Sequence, residues 1–167
     1  MLKITLDTNT VRPEQLSPAI SKVRGGVDVA TTTTVAREIG PTYHTSLHEL
    51  HILPEFWVMG ESPMGVAVLA RETERDLFEA TLVAITNGSF PGRENRSTLT
   101  QGQRNQLRDA MIFCTHVREG RDIFVTNDVK ALGSEGSEQR LRVNTVAPKT
   151  KIMTLPEFER YCEAQQA

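Results

Sequence analysis

The chain has 167 residues, 38% of them hydrophobic and 24% charged, with a formal charge of -2 and a pI near 6.1. Such a length and apolar content suit one compact domain with a full core, and the mild acidity excludes nucleic-acid binding through bulk positive charge while leaving room for a local basic strip. Cys114 and Cys162 show neither Cys-x-x-Cys spacing nor a disulfide framework, so reduced thiols are expected; with no charged leader and no long apolar run, the expectation is a cytoplasmic chain without membrane contact.

In chain order, Leu2 to Leu6 alternates apolar and polar residues and ends at Asp7-Thr8-Asn9, a strand closed by groups suited to capping. Val11 to Val23 reads as a helix with Pro13 in its first turn, broken by Gly25-Gly26. Val27 to Thr33 is β-branched enough for a second strand, and Thr34 is placed to cap a short helix from Val35 to Ile39 that Gly40-Pro41 stops. From Thr42 to Ala70, prolines and glycines punctuate two apolar bursts, Phe56 to Met59 and Val66 to Leu69; a hairpin, a lid and two buried loop segments all fit.

Glu72 to Thr86 returns to helical spacing, with Leu77, Leu82, Val83 and Ile85 on its apolar face and Asn87-Gly88 as its end. Ser89 to Thr98 is a polar loop. Thr100 with Gln103 forms a capping box for a helix that carries Leu107, Ala110, Met111, Cys114 and Val117 on one face and stops at Gly120. Ile123 to Val125 reads as a strand, and Val129 to Leu132 as a helix capped by Asn127 or Asp128. Arg142 to Val146 and Lys151 to Met153 offer one or two late strands, and Pro156 to Ala164 a closing helix. Alternating strands and helices predict a parallel sheet covered on both faces, whose ligands gather at the carboxyl ends of the strands.

Asp7 and Asp128 sit at two such ends. Each has an ordinary reading as a helix cap, and Glu38 and Asp109 have ordinary readings as solvated helical acids. Taken together, carboxylates from two strand ends and two helices that meet at one sheet edge repel one another unless a cation compensates them. Oxygen donors without cysteine or a convincing histidine set favour a hard cation, Mg²⁺ or Mn²⁺, which keeps several waters and accepts phosphate oxygens.

These residues resemble the PIN-domain ribonucleases, a family that includes VapC-type toxins of toxin–antitoxin pairs. The resemblance is carried by Ile4-Thr5-Leu6-Asp7-Thr8-Asn9, by Glu38 shortly after the second strand, and by Arg108-Asp109-Ala110-Met111-Ile112 leading to Phe124-Val125-Thr126-Asn127-Asp128. It implies a three-layer α/β/α sandwich around a central parallel β-sheet, and Mg²⁺ or Mn²⁺ held by the catalytic acids Asp7, Glu38, Asp109 and Asp128, with Asn9 and Thr126 supporting them. The implied activity is cleavage of single-stranded RNA by a metal-dependent endoribonuclease; the implied partners are an antitoxin, where the chain is a toxin, and a second copy in a homodimer. The chain departs from the family's compact middle in an irregular, insertion-like stretch of about 41–98. Its alternative role is that of a catalytically silent PIN-like RNA-binding or protein-interaction module.

Arg93, Arg96, Arg104 and Arg108 cluster just before Asp109 and are candidates for phosphate contacts, with a solvated polar loop as the competing explanation. His44, His48 and His51 have helix-like spacing, yet lie between Pro41 and Pro54 with no cysteine nearby and read as surface histidines. Asp7-Thr8-Asn9-Thr10 is also weakly similar to the nucleophile loop of haloacid-dehalogenase-like phosphatases, but Asp128 and Lys130 do not supply the later lysine and acidic pair that such chemistry needs.

Overall fold

A computed structural model describes residues 1–11, 13–39, 50–58, 60–62, 65 and 67–165. Its center is β1 (Leu2–Leu6), whose last three residues, Ile4, Thr5 and Leu6, are buried on alternating faces of the pleat. On one side β1 pairs with β2 (Val27–Thr32), which pairs with β3 (His51–Leu53); on the other it pairs with β4 (Ile123–Val125), which pairs with β5 (Lys151–Met153). All four pairings are parallel and the order is β3-β2-β1-β4-β5. The chain builds outward from β1 in one direction and then crosses back to build in the other. The topological switch point therefore falls between β1 and β4, where open α/β sheets form a crevice.

Helices cover both faces, giving a three-layer α/β/α arrangement. They are α1 (Pro13–Ile20), α2 (Thr33–Ile39), α3 (Glu72–Thr86), α4 (Gln101–Arg118), α5 (Val129–Leu132), α6 (Glu138–Val146) and α7 (Leu155–Ala164). α1 packs with α7, while α3 packs with α4 and α6. α4 is the principal cover of the sheet, buried almost all round from Ala110 to His116. Its His116 meets Thr5 Oγ1 through Nδ1 at 2.9 Å, and Phe113 meets Phe124 edge to face. The expected capping box is present at its start: Thr100 Oγ1 accepts from Gln103 N, and Gln103 Oε1 accepts from Thr100 N. Cys114 and Cys162 are both free and buried.

Several sequence expectations shift. The first helix is shorter than Val11 to Val23: Asp7 caps a 3-10 turn, Thr8–Thr10, and α1 covers Pro13–Ile20 with Pro18 inside it. α2 begins at Thr33, so Thr34 lies within it; Thr32 Oγ1 accepts from Val35 N at 3.4 Å, and Glu55 Oε1 adds to the cap by accepting from Thr34 N at 3.2 Å. The apolar bursts of the middle form no hairpin among the described residues; His51–Leu53 adds a parallel edge strand, and Phe56 and Val68 meet in an isolated parallel bridge. In α3 the buried face centers on Phe78, Leu82 and Ile85, and Val83 faces solvent. The polar loop after it contains a 3-10 segment, Arg93–Thr98.

Arg142 to Val146 is not a strand. It is the second half of α6, capped by Ser137, whose Oγ accepts from Arg140 N at 3.2 Å. β-branched composition favours a strand there, but α6 packs on α3 with Val143 buried, and this tertiary contact overrides the local preference. Among the described residues, no helix is long and apolar enough to cross a membrane.

Candidate active site

Asp7 follows β1 directly, and Thr126, Asn127 and Asp128 follow β4, the strand beside it. The parallel register Leu6↔Val125 brings these two strand ends level. Asp7 is buried, and its carboxylate is held from three sides. Oδ1 accepts from Thr8 N at 2.7 Å, while Oδ2 accepts from Thr126 Oγ1 at 2.6 Å and from Asn9 Nδ2 at 3.3 Å. Burial raises the Asp7 carboxyl to about 6; the Thr126 and Thr8 hydrogen bonds oppose this, and Asp128 and Glu38 reinforce it.

Asp128 settles which residue caps α5. Its Oδ1 accepts from Lys130 N at 3.0 Å and Ala131 N at 2.9 Å, while its own N–H donates to Thr126 Oγ1 at 3.0 Å. Thr126 thus links the two aspartates through one hydroxyl. Asn9 performs a similar service for the backbone: its Oδ1 accepts from Asn127 N at 2.8 Å, and Asn127 Oδ1 accepts from Leu155 N at 3.1 Å. The capping explanations for Asp7 and Asp128 hold structurally: both carboxylates accept backbone N–H groups just past the ends of adjacent strands.

Glu38, near the end of α2, accepts from Thr8 Oγ1 at 2.8 Å and has Arg108 Nη1 3.7 Å from its Oε1. Asp109 comes from α4 on the far side. No hydrogen bond reaches its carboxylate from the described residues, and it feels Asp7, Asp128 and Glu38 together. Burial first, then those three negative charges, raise the Asp109 carboxyl to about 8; Arg108 opposes them. The four acids singled out from sequence therefore come together electrostatically around the switch point. As they stand, no three Asp, Glu, His or Cys side chains among the described residues form a group that could hold a metal ion.

The donor set is all oxygen, is short of positive charge, and contains one carboxylate without a hydrogen-bond donor. Such chemistry fits a hard dication, which takes one or two direct carboxylates and meets the rest through its retained waters. That preference is compatible with a cluster in which no three acids touch.

The four arginines divide into two structural clamps. Arg93 and Arg96 both hold Glu79, Arg96 through two hydrogen bonds at 2.9 and 2.6 Å. Arg104 and Arg108 hold Glu61 at 2.7 and 2.8 Å, and of the four only Arg108 also pairs with a site acid. Glu61 and Glu55, both buried acids of the irregular middle, were not singled out in the sequence; lone glutamates among prolines and glycines carry no periodic signal. His51 is exposed at the start of β3, whereas His44 and His48 lie outside the described residues. A cleft of about 440 Å³ opens beside Asp109 and Asp128, with Asn87, Asn105, Gln106 and Lys130 on its walls.

Comparison with protein-family models, curated proteins and solved structures finds no match to this chain.

Proposed function

We propose that this chain is a PIN-like, metal-dependent endoribonuclease that hydrolyses phosphodiester bonds of single-stranded RNA, working in the cytoplasm with Mg²⁺ or Mn²⁺. The observation that carries this reading is the meeting of Asp7, Glu38, Asp109 and Asp128 at the switch point, with Asp7 raised to about 6 and Asp109 to about 8 by burial first and then by the neighbouring carboxylates. Shifts of this size are typical of functional sites, and a cation placed among these buried like charges would relieve both the burial cost and the repulsion.

When bound, such a cation supplies Lewis-acid polarisation of a phosphoryl oxygen and eases deprotonation of the attacking water. The four acids are the residues that would hold it. Thr126 and Asn9 orient Asp7 through their hydrogen bonds, and Thr8 anchors Glu38. A carboxylate of this cluster is suited to accept the proton of the attacking water. Arg108 supplies positive charge next to Glu38, within reach of a phosphate entering the crevice. A toxin role, with an antitoxin over the crevice and a homodimer as the working unit, is the subclass tested by whether co-expression with a small neighbouring reading frame relieves growth arrest.

The direct test is cleavage of a labelled single-stranded RNA by the wild type and by Asp7→Asn and Asp109→Asn, with Mg²⁺, Mn²⁺ or chelator. Metal-dependent cutting by the wild type, lost in both folded variants, is the expected result. Equal cutting by all three would assign the activity to a contaminant. No cutting by the wild type across varied RNAs would leave a binding module.

A further inference from the structure

The cleft beside the acids has features that the four carboxylates do not explain. Its walls are Asn87 at the C-terminal end of α3, Asn105 and Gln106 on α4, and Lys130 on α5, with Asp109 and Asp128 at one end. At about 440 Å³ it falls within the roughly 300–1,000 Å³ span of small-ligand pockets. Three residues with primary amides line it, each amide carrying a donor and an acceptor. Gln106 and Asn87 spend neither on any described residue, and Asn105 gives only its Oδ1, to Gln101 Nε2 at 3.0 Å.

Gly102 also lines this cleft, in the first turn of α4. Its backbone is ordinary helix, and a Cβ placed there meets nothing within 4 Å. Neither a turn nor close packing requires the glycine, which costs up to about 1 kcal/mol in a helix relative to alanine. Its structural consequence is an open cleft mouth.

We infer that this cleft is a base-reading subsite, in which the amides of Asn87, Asn105 and Gln106 bind the nucleobase next to the scissile phosphate and prefer adenine. The inference rests on the ribonuclease reading for its place in the reaction. An anion is disfavoured by the two aspartates at the cleft's end, whereas a neutral base edge matches amide walls. Asn and Gln side chains pair in two-point fashion with the N6 donor and N7 acceptor of adenine. Lys130, which also lines the cleft and makes no ion pair with a described residue, supplies a positive charge for the next phosphate of a strand.

The test is titration of the isotope-labelled, chelator-treated protein with adenosine, inosine, cytidine and uridine, following the side-chain amide signals by NMR. These uncharged probes avoid both phosphate and metal. Adenosine is expected to shift the amides of Asn87, Asn105 and Gln106 and to bind several-fold more tightly than inosine, whose O6 reverses the N6 donor. Gly102→Leu, which fills the mouth without strain, and Gln106→Ala are each expected to weaken adenosine binding by roughly tenfold, with circular dichroism unchanged. Unmoved amides, equal binding of all four nucleosides, or wild-type affinity in Gly102→Leu would each overturn the subsite. RNA cutting plays no part in this readout: a chain that never cuts but binds adenosine here keeps the subsite and loses the nuclease reading, and one that cuts with silent amides does the reverse.

Discussion

Thr126 Oγ1 donates to Asp7 Oδ2 at 2.6 Å and itself accepts the N–H of Asp128 at 3.0 Å. One buried hydroxyl therefore ties the Asp7 carboxylate to the backbone of Asp128 and holds the Asp7 carboxyl down against its burial. Thr126→Val keeps the shape and removes both bonds. The expected outcome is a stability loss of about 1–3 kcal/mol in urea unfolding, a further rise of the Asp7 carboxyl above about 6 by NMR titration, and RNA cleavage reduced by at least roughly tenfold. Thr126→Ser should restore all three. A valine variant with wild-type carboxyl titration would show that Thr126 merely packs.

Glu61 joins the irregular middle to α4. Burial pushes its carboxyl up, but hydrogen bonds from Arg104 and Arg108 outweigh burial and hold it below the usual range. A depressed folded value means that the stabilising contribution is present above the unfolded value of 4.5 and disappears as pH falls through the folded one. Glu61→Gln leaves Arg104 and Arg108 facing a neutral amide, and we expect a loss of about 3 kcal/mol at pH 7 that shrinks at an acidic pH well below 4.5, as the wild-type carboxyl itself becomes protonated. Urea unfolding at the two pH values checks this. An equal loss at both would assign the effect to packing alone.

The switch-point acids were legible because strand ends announce themselves: a short alternating or apolar run followed by Asp7-Thr8-Asn9 or Thr126-Asn127-Asp128 places a carboxylate at a known edge of a parallel sheet. Thr100 with Gln103 was legible for the same local reason, since a capping box is complete within four residues. What escaped depends on distant partners. Glu55 caps α2 from beyond β3, and Glu61 takes its charge partners from α4, 43 and 47 residues on. No window of sequence contains both halves of either contact.

Arg140 shows why the segment read as a strand became a helix. Its buried guanidinium donates to the carbonyls of Leu132, Gly133 and Ile152, joining the end of α5 to β5 from a position that α6 provides. Gly133, with φ 78, admits this approach, since a Cβ there would lie 2.4 Å from Arg140 N. Arg140→Met therefore strands three carbonyl acceptors, with an expected destabilisation of about 3–5 kcal/mol and early loss of hydrogen-exchange protection in β5. Protection of β5 equal to that of the wild type would show that the carbonyls find water instead.

The raised carboxyl of Asp109 makes stability depend on pH in a direction opposite to that of Glu61. Its value moves from 3.8 to about 8, by burial first and then by Asp7, Asp128 and Glu38, so the folded protein binds this proton more tightly than the unfolded chain. Between those two values the unfolded state ionises first, and stability falls as pH rises; above about 8 the loss is complete and constant. Asp7, raised to about 6, adds its own loss over the lower part of the range. In chelator, the melting temperature of the wild type minus that of Asp109→Asn should therefore drop steadily from about pH 5 to about pH 8. Mg²⁺ or Mn²⁺ at the upper end should raise the melting temperature of the wild type much more than that of the variant, because the cation binds the folded cluster and not the dispersed acids. A difference that stays flat with pH would remove the electrostatic strain at Asp109, and an equal cation response in the two proteins would remove Asp109 from the set of residues that hold the ion.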